Sequence, residues 1–120
     1  MNTRIPIRLP GKKSKYRNVR VQVDGIWFDS KKEAKRYSEL IILERENSIA
    51  SLIVHPVFEF KIEGRHICSY EGDFSYWVAD GDSGPYGKPV IEDVKGHRTR
   101  EYLIKKKLMK AVYGIDIVEI

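Results

Sequence analysis

The chain has 120 residues, 42% hydrophobic and 32% charged, with 22 Lys and Arg against 17 Asp and Glu and a formal net charge of +5. That length holds one domain with one modest core, not two. The basic surplus favours a polyanion as partner, nucleic acid first and an anionic membrane second. The single cysteine, Cys68, excludes an intrachain disulfide and reads as a strand filler in a reducing cytosol. No apolar run approaches the roughly 20 residues of a membrane span.

Residues 1–15 read as a flexible arm with two prolines, a glycine and little to bury. The charge is uneven: residues 1–20 carry seven basic side chains (Arg4, Arg8, Lys12, Lys13, Lys15, Arg17, Arg20) and no acid, and Asp24 is the first carboxylate. Arg4, Pro6, Arg8 and Pro10 break up any signal-peptide apolar region, so a cytoplasmic location is expected. From Tyr16 the pattern changes. Val19, Val21 and Val23 alternate with polar residues, Asp24-Gly25 signals a two-residue hairpin, and Ile26-Trp27-Phe28 returns as a second strand.

Asp29-Ser30 opens a helix predicted over residues 31–47, with Ala34, Tyr37, Leu40 and Ile41 on its inner face. Ser30 and Glu33 stand in the relation of a capping box, and Glu33 lies at the edge of the buried face. Ile49–Val54 reads as a strand interrupted by His55-Pro56. Val57–Ile62 and Arg65–Tyr70 pair around Glu63-Gly64, and a further strand spans Gly72–Val78 with Asp73 at its start. Asp80–Lys88 is a turn-rich surface loop.

Val90–Gly96 reads as a short strand, begun at Pro89 and closed by Gly96. Side-chain alternation puts Ile91, Asp93 and Lys95 on one face and Val90, Glu92 and Val94 on the other. Glu92 is then a surface or packing residue, and Asp93 ranks ahead of it as a ligand. Asp93 and Lys95 side by side can hold a metal ion and a water against a phosphate, or form an ordinary ion pair. Thr99 is the expected N-cap of a second helix over residues 100–113. Tyr102, Leu103, Met109, Val112 and Tyr113 point inward, and Gly114 is its stop. Lys105, Lys106, Lys107 and Lys110 lie on its outer face, and Ile115–Ile120 is a final strand. The order predicts an α/β or α+β domain with a central mixed sheet flanked by helices.

Glu33, Asp73 and Asp93 converging on one point would need a cation, because like charges within a few ångströms repel. An oxygen-only set favours Mg²⁺, with Mn²⁺ as a substitute, over zinc; His55, His66 and His97 are scattered without zinc spacing. A helical Glu, an isolated Asp before a strand and a D-x-K strand followed by a basic helix resemble the PD-(D/E)XK nuclease superfamily. The segments FDSKKEAKRYSEL, DFSYW, EDVKGHRTREY and KKKLMKAVYGIDI are similar to a family of small bacteriophage proteins of that superfamily, across residues 15–120. Gly72 departs from the pattern, standing where the superfamily has Pro before the Asp.

The resemblance implies a restriction-endonuclease-like core. Glu33, Asp73 and Asp93 would bind Mg²⁺ with help from the Val94 carbonyl, and Lys95 would stand beside the attacking water. The chemistry it implies is phosphodiester hydrolysis of DNA. Lys12, Lys13, Lys15 and Arg17 on the arm, and His97, Arg98, Arg100, Lys105 and Lys106 after the active strand, would contact phosphates. No base-reading module is visible, which points to DNA shape, such as branches or junctions; the resemblance to small phage-type nucleases further implies Holliday junctions cut by a homodimer in phage recombination within the bacterial host cytoplasm. Two alternatives stand beside this. One is a nicking, end-processing or transposase-like nuclease subunit. The other is a non-catalytic basic DNA-binding protein in which Asp93 pairs with Lys95 and Glu33 only caps its helix.

Overall fold

The computed structural model describes residues 19–79, 81, 87–94 and 98–120. Two compact units divide the chain, one ending at Ala34 and one spanning Lys35–Ile120.

In the first unit, β1 (Val21–Val23) pairs antiparallel with β2 (Ile26–Phe28), Val21 opposite Phe28. Asp24 (φ 53°) and Gly25 (φ 78°) both take the left-handed conformation. A type I′ turn requires this, as the Asp-Gly pair predicts. Alternation buries Phe28 and exposes Trp27, over whose ring the Arg20 guanidinium sits 5.0 Å from the centroid. Ser30 Oγ accepts the Glu33 amide N–H at 3.1 Å, which caps the helix α1 (Lys31–Arg45) as the sequence suggests.

The second unit holds the remainder of α1, with Tyr37 and Leu40 buried. Its main sheet has four strands in the order β3-β6-β7-β8: β3 (Ala50–Val54), β6 (Phe74–Val78), β7 (Lys88–Asp93) and β8 (Val118–Glu119). The β3–β6 and β6–β7 pairs are antiparallel and β7–β8 is parallel, so the sheet is mixed. β4 (Val57–Ile62) and β5 (Arg65–Glu71) form a separate hairpin closed by Glu63 (φ 51°) and Gly64 (φ 81°). Helix α2 (Arg100–Leu108) starts at Thr99, whose Oγ1 accepts the Tyr102 N–H at 3.0 Å. The core joins these parts: Phe60 and Tyr70 from the hairpin, Ile91 from β7, Tyr102 and Met109 from the helical segment, and Ile117 before β8. Cys68 packs against this cluster as a strand residue. The architecture is the α+β arrangement with a central mixed sheet and two helices that the sequence predicts.

Three details differ from the sequence reading. β7 begins at Lys88 and ends at Asp93, so Pro89 lies inside the strand, opposite Trp77. Proline is tolerated there because β8 pairs only with Glu92 and Asp93, which leaves that stretch of β7 without a ladder on its other side. The final strand is two residues long instead of Ile115–Ile120. The second helix changes to a π-helical turn over Met109–Tyr113 before Gly114 (φ 71°) ends it. The wider turn breaks the 3.6-residue phase. Val112 (52%) and Tyr113 (43%) are exposed, not inward-facing, and so is Leu103 (38%), which lies upstream of that turn. Tyr113 is still anchored, donating its hydroxyl to the Glu59 carbonyl at 2.7 Å and meeting Phe58 edge-on.

The residue 1–15 arm, most of the Asp80–Lys88 loop, and Lys95, Gly96 and His97 lie outside the described residues. Among the described residues no helix is long and apolar enough to cross a membrane.

Gly87, directly before β7, is tightly constrained: φ is +81° and a Cβ there would stand 2.2 Å from the Val78 carbonyl oxygen. Gly87→Ala is expected to destabilise the chain by at least about 2 kcal/mol, read as a lower urea midpoint with little change in slope.

Candidate functional site

Asp73 occupies the corner between β5 and β6, and its main chain is held from two sides. Its N–H donates to the Glu92 carbonyl at 3.0 Å, and its carbonyl accepts the His55 N–H at 2.9 Å. The Gly72 N–H donates to the Pro56 carbonyl at 2.9 Å. These bonds fasten the β3–β4 turn and the start of β6 to one another and to β7. They also explain the glycine at position 72. A proline there would have no N–H for Pro56, and a Cβ already stands 3.2 Å from Ile91 Cγ2. The Asp73 carboxylate is fixed in turn, its Oδ2 accepting the Val94 N–H at 2.6 Å.

Asp93 ends β7 and is buried, 3% exposed, on the face predicted for it. Its Oδ2 accepts the Tyr70 hydroxyl at 2.5 Å. Burial pushes the Tyr70 phenol well above its ordinary range, the hydrogen bond to Asp93 adds to this, and the nearby charges of Asp93 and Asp73 push the same way. Tyr70 therefore stays a neutral donor to Asp93. A ring nitrogen of His55 and a carboxylate oxygen of Asp73 lie within 4.8 Å of each other. Glu33 is buried in the first turn of α1, in the N-terminal unit. Lys95 lies outside the described residues.

Glu92 is not a surface residue. It is 1% exposed, and its carboxylate accepts a two-pronged bond from Arg36 on α1, Nε to Oε1 at 2.8 Å and a terminal nitrogen to Oε2 at 2.6 Å. The Tyr76 hydroxyl also donates to Oε2. Burial first, and then the Glu92 hydrogen bond, push the Tyr76 phenol up to about 12. The Glu92 bond likewise raises the Arg36 guanidinium above its ordinary value. Neither Arg36 nor Tyr70 carries a local signature that would reveal a partner so far along the chain. His55 does carry one, standing at a break between two strands directly before Pro56.

The basic residues assigned to DNA divide three ways. Lys12, Lys13, Lys15, Arg17 and His97 lie outside the described residues. Arg98 and Lys106 turn toward Glu119, at 3.4 and 3.0 Å. Tyr102 donates to the same carboxylate at 2.6 Å, and that bond, ahead of the lysine, holds Glu119 below the usual carboxylate range. Lys105 lies 3.6 Å from Glu101, and Arg100 is exposed in the first turn of α2.

The chain is thus an α+β protein whose central strand β7 ends in two buried carboxylates, Glu92 and Asp93, on opposite faces, with the partly buried Asp73 held to the next residue. It belongs to the family described as Protein of unknown function (DUF1064), whose profile matches residues 13–117. No curated protein and no solved structure matches it.

Tyr70, Tyr76 and Tyr102 all have phenols raised by burial and by carboxylate hydrogen bonds. A raised folded-state value means stability that is intact below the unfolded phenol value of about 10 and is lost as pH rises toward the folded one. For Tyr76 that window closes at about 12. Unfolding free energy is expected to fall above about pH 10, by up to about 1.4 kcal/mol per pH unit for each tyrosine. Tyr76→Phe should make the decline shallower in a urea series from pH 8 to 12.

Proposed function

We propose that this chain is a metal-dependent endodeoxyribonuclease that hydrolyses phosphodiester bonds. One observation carries the reading: at the C-terminal end of β7 the Asp93 carboxylate is held by the Tyr70 hydroxyl, and the next residue, Val94, donates its N–H to the Asp73 carboxylate from the β5–β6 corner. Carboxylates gathered at one strand end suit a hard divalent cation, Mg²⁺ or Mn²⁺. The sequence pattern adds Glu33 and the Val94 carbonyl to the ligand set and Lys95 as the catalytic cation. When bound, such a cation lowers the pKa of a coordinated water and offsets charge growing on the phosphate.

The chain's own residues do the positioning. Tyr70 holds the Asp93 carboxylate and the Val94 amide holds that of Asp73, so neither must reorganise when substrate arrives. Lys95, two residues beyond Asp93, supplies a positive charge beside the scissile phosphate and orients the water. The water oxygen forms a bond to phosphorus as the bond to the leaving oxygen breaks, and the water's proton ends on that leaving oxygen.

The substrate is DNA, bound through phosphates by the arm first and by the exposed Arg100 at the start of α2 second. With no base-reading module in the sequence, selectivity is for structure, and branched DNA such as a Holliday junction is the proposed target. One chain carries one such site, so paired cuts require a homodimer.

The test uses a four-way junction, linear duplex and single strand, each with Mg²⁺ or EDTA. Asp93→Asn and Lys95→Ala are each expected to slow cleavage by about 10²-fold or more while junction binding persists. Undiminished cleavage in both variants would remove the site assignment; equal rates on duplex and junction would remove the structural selectivity and leave a general nuclease. Deleting residues 1–14 is expected to weaken DNA binding and to reduce the slope of log K against log salt by roughly one for each phosphate that the arm no longer neutralises. Titrations between 50 and 200 mM salt, on the order used to resolve such slopes, read this directly.

A further inference from the structure

We propose that His55 is a ligand of the same cation as Asp73, and that its imidazole makes the site select Mn²⁺ over Mg²⁺. The inference rests on Asp73 being a metal ligand, as above, and adds a residue that neither the sequence pattern nor the family assigns.

The first support is the backbone. His55 has φ +56°, a left-handed conformation uncommon outside glycine. It directly precedes Pro56, whose ring normally drives its predecessor toward an extended conformation. A strained residue persists only where its surroundings over-determine it, and such positions cluster at functional sites. Here the surroundings are visible. The His55 N–H is bound to the Asp73 carbonyl and the Gly72 N–H to the Pro56 carbonyl, both at 2.9 Å. The strain is therefore held in place by the segment that carries Asp73. Its effect is to bring the half-buried His55 ring beside that aspartate.

The second support is distance. A His55 ring nitrogen and an Asp73 oxygen lie within 4.8 Å, which brings the two donors within reach of one cation bonded at about 2.1 Å without movement of the clamped main chain.

The third support is donor chemistry. Mg²⁺ demands oxygen ligands in near-ideal octahedral geometry and gives up water reluctantly. Mn²⁺ stands among the divalent metals that carboxylates suit and, as a first-row transition ion, also takes a neutral imidazole. One nitrogen among carboxylates thus leaves Mg²⁺ a poorer set and Mn²⁺ a better one. A histidine that only hydrogen-bonds Asp73 would leave the choice between the cations unchanged, which separates the two roles by experiment.

The experiment uses the full chain and Mn²⁺ alone, without DNA. Free Mn²⁺ is followed by electron paramagnetic resonance, directly bonded ¹⁴N by pulsed methods on the bound ion, and Mg²⁺ by competition. The wild-type chain is expected to show ¹⁴N coupling and to bind Mn²⁺ more tightly than Mg²⁺. His55→Asn tolerates the left-handed backbone and offers oxygen in place of nitrogen. It should lose the coupling, weaken Mn²⁺ about tenfold or more and change Mg²⁺ far less. His55→Ala should lose the coupling as well, and circular dichroism confirms that each variant folds. Unaltered coupling and Mn²⁺ affinity in His55→Asn would overturn the proposal and leave the nuclease reading standing. A wild-type chain that binds neither cation, alone or in competition, would overturn both.

Discussion

A carboxylate withdrawn from water must have its charge answered, and Glu92 is the position at which this constraint organises the sheet. At 1% exposure it is met by the Arg36 fork from α1 and by the Tyr76 hydroxyl from β6. Leaving such a charge without its partner costs several kcal/mol, on the order of 3–5. The pair therefore sets the register of β7 more strictly than apolar packing would. A slip of one residue would carry Glu92 into the face where Ile91 meets Phe60, Tyr70 and Met109. Because strand residues alternate, fixing Glu92 on one face fixes Ile91 and Asp93 on the other. The ion pair on the α1 side thus decides that Asp93 is presented to Tyr70.

Much of this was legible in the sequence where the controlling interaction is local. The Asp24-Gly25 and Glu63-Gly64 turns, the Ser30 and Thr99 caps and the Gly114 stop each depend on a residue's own backbone preference or on a partner within one turn. Strand parity placed Asp93 and Glu92 on opposite faces, and their bonds to Tyr70 and to Arg36 agree with that. The environment of Glu92 was not legible, because its partner stands on another element and nothing near either residue announces the pairing. The second helix failed for a different reason. A period of 3.6 was projected through Met109–Tyr113, where the chain takes a wider turn, so Val112 and Tyr113 left the expected stripe. The sequence reading singled out acids and passed over His55, whose place beside Asp73 comes from a main-chain bond and not from spacing.

The glycine before Asp73 has a physical cause. A proline there would fix φ and give up a donor. This chain uses that donor, through Gly72 to Pro56, and obtains its rigidity from hydrogen bonds across the corner. The restraint couples the β3–β4 turn to the position of Asp73, and any change in one is transmitted to the other.

The formal charge of +5 overstates the cationic surface that the helical end of the chain can offer to a phosphate backbone. Arg98 and Lys106 converge on Glu119, a carboxylate also held by Tyr102 and only 25% exposed in its side chain. Exchanging those partners for phosphates would leave Glu119 without its cations close to bound DNA, an unfavourable trade. The Lys110–Asp116 pair is different: at 60% and 77% exposure, each side chain is solvated and the pairing is weak enough to give way. Lys105 stands between these cases, itself 23% exposed but opposite a Glu101 that is 72% exposed. The cations of α2 are therefore unequal despite their equal formal charge. The arm differs from the helix in composition, having basic residues and no acid through residue 20. The proposed affinity for DNA is therefore drawn first from the arm's composition and only second from the helix whose lysine run attracts the eye.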